Sequence, residues 1–110
     1  MKRKKSARPE GILQLQILKY IKFLGFPCGK TKTMGLRQAR GTFRFDPYVF
    51  RGFPDLTAFV PHLMFIEVKS PKGVQSESQK DFQGFCKRAN IKYILARNLE
   101  DVTKELNVLM

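Results

Sequence analysis

Gly52-Phe-Pro-Asp55-Leu-Thr-Ala-Phe-Val-Pro-His-Leu-Met-Phe-Ile-Glu67-Val-Lys69 is the stretch of this 110-residue chain on which the fold turns. Two short apolar runs, residues 56–60 and 63–68, flank a Pro61-His62 break and read as a β-hairpin. Side chains alternate between the faces of a strand, so turn length decides which residues meet. A three-residue turn over residues 60–62 sets residue 55 opposite residue 67. A two-residue turn would set Asp55 beside Val68, with its side chain on the other face. The odd-length turn, or a bulge with the same effect, is the expectation. It gathers Asp55, Glu67 and Lys69 at one end of an apolar hairpin. Such a cluster is costly to bury unless it is solvated, paired or bound to a metal. Glu-x-Lys alone is ordinary on a solvated strand, and Pro-Asp alone is a common turn pair. Their combination places the chemistry here.

The charge is unevenly spread. Residues 1–51 hold 13 Lys or Arg against two acids, Glu10 and Asp46, whereas residues 52–110 hold eight against seven. Nearly all of the net charge of +12 therefore sits in the first half. A polyanion suits such a segment, because each phosphate contact releases counterions. An acidic membrane surface is disfavoured, since no strongly amphipathic basic helix with an aromatic face is visible. No apolar run approaches membrane-spanning length, and no signal-peptide core follows Met1-Lys-Arg-Lys-Lys, so a cytoplasmic setting is expected. Cys28 and Cys86 have neither the spacing nor the histidine partner of a zinc site and are expected as free thiols. Length and an apolar share of 43% suit one domain over residues 9–110 behind a flexible basic arm, residues 1–8. That arm is equally a solubilising tail and a DNA contact.

In chain order, Pro9 opens a helix to about residue 24, with Ile12, Leu13, Leu15, Ile17, Leu18, Ile21 and Leu24 as a broad apolar stripe. Glu10 and Gln14 lie one turn apart on it. A strand is expected around residues 26–33, then a long loop to residue 50. Lys30, Lys32, Arg37, Arg40, Arg44 and Arg51 are spread along it, with Phe43, Phe45, Tyr48 and Phe50 between them. Interleaved cations and aromatics suit a surface that tracks phosphates and stacks on bases. Those aromatics equally suit a core or a dimer interface. Gly52 gives backbone freedom before the Pro54-Asp55 corner. Ser70-Pro-Lys72-Gly closes the second hairpin strand. Ser76-x-x-Gln79 then opens an amphipathic helix carrying Phe82, Phe85, Cys86 and Ala89 as a capping box. Asn90 ends that helix, residues 91–96 return to the sheet, and Asn98 caps a last helix with Val102, Leu106 and Leu109. Strand, helix, strand implies a right-handed crossover and a parallel pair.

Gly52-Phe-Pro-Asp55-Leu, Phe65-Ile-Glu67-Val-Lys69 and Ser76-Glu-Ser-Gln79-Lys-Asp-Phe82 together resemble the VRR-NUC (virus-type replication-repair nuclease) branch of the PD-(D/E)XK nucleases. The resemblance runs from about residue 10 to residue 102. It implies an α/β (α+β) fold with a small mixed sheet flanked by helices, the restriction-endonuclease-like core. It also implies metal-dependent phosphodiester cleavage, with stand-alone members of this size similar to Holliday-junction resolvases of phages and bacteria. The family's first-helix glutamate matches Glu10, although a glutamate in a first turn also has a macrodipole reason to be there. Gln79 matches a glutamine beside the family's active site, as a supporting residue.

The residue types suit the chemistry. Mg2+ or Mn2+ takes oxygen ligands and needs only one or two carboxylates besides substrate phosphate. Asp55 and Glu67 are the expected ligands, with the Val68 carbonyl a third oxygen. Lys69 is expected to orient or deprotonate the attacking water and offset charge on the phosphorane. His62, at the hairpin tip, is not expected to take part. Lys72 joins the expected DNA contacts. With no base-reading module in view, recognition of branched DNA by shape is expected, by a C2 homodimer with two sites. A basic binding module without chemistry and a less selective nuclease of the same superfamily are the competing readings.

Overall fold

A computed structural model describes residues 9–31 and 51–109. The basic arm (residues 1–8), Lys32, Arg37, Arg40, Arg44 and the aromatics between residues 43 and 50 lie outside the described residues. The described part is a mixed α+β fold: α1 (Pro9–Phe23), β1 (Cys28–Lys30), β2 (Leu56–Phe59), β3 (Leu63–Val68), α2 (Glu77–Arg88), β4 (Lys92–Ala96) and α3 (Leu99–Leu109). The sheet order is β1-β2-β3-β4, antiparallel except for the β3–β4 pair, which is parallel across the α2 crossover.

The hairpin has the odd-length turn. Leu56 pairs with Ile66 and Phe59 with Leu63, and the Val60 N–H donates to the His62 carbonyl across the corner. Leu56, Ala58 and Val60 therefore share a face with Met64, Ile66 and Val68, all buried. Ile17 and Ile21 of α1, Ile94 and Ala96 of β4, and Val102 and Leu106 of α3 complete this main core. The opposite face is smaller and aromatic. Phe65 lies beneath Phe82 and Cys86 of α2, and Phe53 closes a triangle of edge-to-face rings with Phe65 and Phe82, centroids 4.7–5.4 Å apart. Such pairs add about 0.5–1.5 kcal/mol each beyond their buried area. They anchor the segment leading to Asp55 on α2. Covered on both faces, β3 reads as a continuous apolar run, which is why Glu67 stands out in it.

Three expectations need correction. The first strand spans Cys28–Lys30 rather than residues 26–33; Gly29 and Pro27 offer little to pack on a sheet edge. The α1 stripe is narrower than its apolar content, because only one side of the helix meets the sheet. Ile17 and Ile21 are buried, whereas Ile12, Leu15 and Phe23 are exposed. On α2, Phe82 and Cys86 are buried but Phe85 is half exposed. Cys28 and Cys86 are free thiols on different elements.

Candidate active site

The strand ends carry the polar cluster. Asp55 sits immediately before β2, and its Oδ2 accepts the Val68 N–H at 2.8 Å, fixing it across the hairpin end. In extended backbone the N–H and C=O of one residue leave on the same edge, so the Val68 carbonyl faces the Asp55 side as well. Glu67, one residue before the end of the parallel pairing, is 2% exposed. Its Oε2 accepts from Gln79 Nε2 at 2.8 Å and lies 3.8 Å from Lys69 Nζ. Its Oε1 is buried with no hydrogen-bond partner. Lys69 shares the Glu67 face and is 15% exposed.

Gln79 is held by the helix it caps. Ser76 Oγ accepts the Gln79 N–H at 3.2 Å, and Gln79 Oε1 accepts the Ser76 N–H at 2.8 Å, a complete capping box. The box uses the amide oxygen and leaves Nε2 for Glu67, so the capping role and the supporting role coexist. Gly52, at φ +73°, packs against this first turn; a Cβ there would overlap the Ser78 carbonyl and meet the Gln79 nitrogen. Gly52 thus lets the Asp55 segment and the Gln79 turn approach each other.

Glu10 reaches the same end from α1. Its Oε2 accepts the Ser70 N–H at 3.0 Å, one residue past Lys69. Among the described residues, no group of three or more His, Cys, Asp or Glu side chains is arranged to hold a metal ion. The ligand set to consider is therefore Asp55, Glu67 and the Val68 carbonyl, with Glu10 committed to a peptide N–H beside them.

The electrostatics show the strain of gathering these groups. Burial, and then the neighbouring Asp55, push Glu67 from 4.5 up to about 7, against the opposing pull of Lys69. Burial also raises Asp55, partly offset by the Val68 N–H. Tyr93, whose hydroxyl accepts from Gln75 Nε2 at 3.2 Å, is pushed up to about 12 by burial and next by Glu67. A divalent cation fits this donor set. It would supply the partner that Glu67 Oε1 lacks and relieve the repulsion between the carboxylates.

Of the cations named from the sequence, Lys30 ends β1 opposite Leu56, on the Leu56 face, and the Thr31 N–H donates to the Asp55 carbonyl, so β1 ends at the same end of the sheet as the cluster. Lys72 is exposed in the turn after Lys69, and Arg51 is exposed just before Gly52. His62 lies in the corner just before β3, about 16 Å of strand from Glu67 at roughly 3.3 Å per residue. The hollow beside His62, lined by Val60–Met64 and Asn90–Lys92, carries no carboxylate. Sequence reasoning missed Ser70, Arg97 and Phe53. The Arg97 guanidinium spans to the Ser70 and Gly73 carbonyls. The signal available was the parallel crossover, which sets the residue after β4 beside the residue after β3.

A mixed sheet with helices on both faces and carboxylates converging at one strand end defines the class of fold. Two solved structures share it. One, described as a VRR_NUC domain, superposes with a TM-score of 0.67 at 19% identity, over 92% of this chain and 97% of that one. Another, described as a VRR_NUC domain protein, gives 0.61 at 16% identity, over 96% and 91%. The chain has the VRR-NUC fold. No protein-family model matches it, and neither does any curated protein.

Proposed function

We propose that this chain is a metal-dependent, structure-selective DNA endonuclease that hydrolyses phosphodiester bonds, acting on four-way junctions as a homodimer. The observation that carries the reading is the buried, unpartnered Oε1 of Glu67, a carboxyl that the neighbouring Asp55 pushes up further, in a fold shared with VRR_NUC structures. Asp55, Glu67 and the Val68 carbonyl would hold Mg2+ or Mn2+. That ion would polarise the scissile phosphate and lower the pKa of a bound water. Asp55 is fixed for this by the Val68 N–H, and Glu67 by Gln79. Lys69 Nζ, beside Glu67 Oε2, orients the attacking water and offsets charge developing on the phosphorane. Exposed Lys30 and Lys72 flank the site and contact phosphates without reading sequence. A C2 pair would present two such sites to a two-fold junction.

The test is paired nicking of a synthetic four-way junction with Mg2+ or Mn2+. Asp55→Asn and Lys69→Ala should each lower the cleavage rate by about 100-fold or more while leaving junction binding within a few-fold. Parallel loss of binding and cleavage would assign these residues a structural role. Equal cutting of linear duplex would favour the less selective nuclease, and binding without cleavage the module without chemistry.

A further inference from the structure

Arg97 stands directly after β4, where the parallel register carries it beside Lys69: Val68 pairs with Ala96, and the Lys69 N–H donates to the Ala96 carbonyl at 3.0 Å. Its own N–H donates to Asp101 Oδ2 at 2.8 Å, and the Asp101 N–H is capped in turn by Asn98 Oδ1 at 2.9 Å. The start of α3 thereby fixes the Arg97 backbone. The guanidinium pairs with no carboxylate among the described residues. Its Nη1 donates instead to three carbonyls of one turn: Ser70 at 2.8 Å, Gly73 at 2.8 Å and Pro71 at 3.3 Å. The turn closes on itself through the Gly73 N–H to the Ser70 carbonyl at 3.0 Å.

The backbone of Ser70 is thus gripped on both its peptide groups. Glu10 takes its N–H, and Arg97 takes its carbonyl. Between this grip and the end of β3 lies Lys69, whose side chain is held beside Glu67. One terminal nitrogen makes all three contacts, its two hydrogens shared among the three carbonyls, and a lysine ammonium, one bond closer to the backbone, falls short of that position. Resting on the nuclease reading above, we propose that Arg97 is a positioning residue for Lys69, acting through the 70–73 turn rather than on the substrate. Glu10 is the opposing half of the same grip.

Two measurements on the full chain test this. Amide hydrogen exchange in Arg97→Ala should quicken by about tenfold or more at Ser70 and Gly73 while staying unchanged at Ile66 and Cys86; uniform quickening, or none at the turn, overturns the grip. Single-turnover junction cleavage by Arg97→Ala should fall about ten- to a hundredfold, with the half-saturating DNA concentration within about twofold of wild type. In a Lys69→Ala background the same substitution should cost nothing further. Weakened binding at an unchanged rate, or losses that add, would make Arg97 a phosphate contact or a separate contributor and overturn the proposal. Arg97→Lys keeps the charge but is one bond shorter; it should fall between wild type and Arg97→Ala, and it carries both measurements if the alanine variant does not fold. A wild-type chain that cuts no DNA overturns the nuclease reading, while the exchange measurement still judges the grip.

Discussion

Between pH 4.5 and about 7 the folded chain keeps a proton on Glu67 that the unfolded chain has released. The sign is opposite to that of a carboxylate held by a cation. A state that binds more protons loses stability as pH rises, so Glu67 destabilises the cation-free fold progressively across this window. The effect is on the order of 3 kcal/mol at most for a group this buried. Asp55 shifts in the same direction and adds to it. A bound divalent cation reverses the balance, because it favours the charged form that burial opposes. Thermal melts in a chelator should therefore show wild type losing stability from pH 5 to pH 8 relative to Glu67→Gln, which lacks the titrating group and keeps an amide oxygen for Gln79. Millimolar Mg2+ should raise the wild-type melting temperature more at pH 8 than at pH 5, and should leave Glu67→Gln nearly unmoved. Parallel pH profiles for the two proteins would show that Glu67 is neither buried nor coupled as described.

On the scale of elements, the site depends on how closely the Asp55 segment approaches the first turn of α2. Gly52 and Gly25 both have positive φ, +73° and +98°, so alanine pays a similar backbone cost of about 1 kcal/mol at either. They differ in space: nothing lies near a Cβ at Gly25, whereas one at Gly52 would strike Ser78 and Gln79. Gly52→Ala should melt several degrees below Gly25→Ala and lose cleavage about tenfold, as Gln79 shifts from Glu67. Equal melting and equal activity in the two variants would remove Gly52 from the design of the site. The elements themselves were largely legible in the sequence, because local rules fix them. Pro61-His62 marked the corner, and the parity of residues 55 and 67 selected the register. Ser76-x-x-Gln79 announced a capping box that is present in full. What stayed hidden is non-local. Arg97 meets Ser70 across 27 residues, and Phe53 joins Phe65 and Phe82 through tertiary packing that no period or cap encodes. The limited burial of α1 was hidden for a related reason: its sequence is apolar on several sides, and only docking decides which side is used.

Across the whole fold, two exposed cations among the described residues stand at the end of the sheet that carries the site. Lys30 ends β1, which pairs with β2 next to Asp55. Lys72 stands on the far side of the same end, beyond Lys69. At the opposite end, where α2 leads into β4, Lys87 stands in the last turn of the helix. On the proposed reading, a polyanion drawn to Lys30 and Lys72 would be delivered to the carboxylates, and one drawn to Lys87 would not. Phosphate contacts act additively on the salt dependence of binding, each about one unit of slope in log K against log salt. Lys30→Ala and Lys72→Ala should each reduce that slope by about one and weaken junction binding several-fold, whatever the junction's sequence. Lys87→Ala, equal in charge change, should alter neither. The measurement is junction affinity from about 50 to 200 mM salt for the three variants and wild type. If Lys87→Ala lowers the slope as much as the other two, net charge alone attracts the DNA and the sheet end does not choose where it lands.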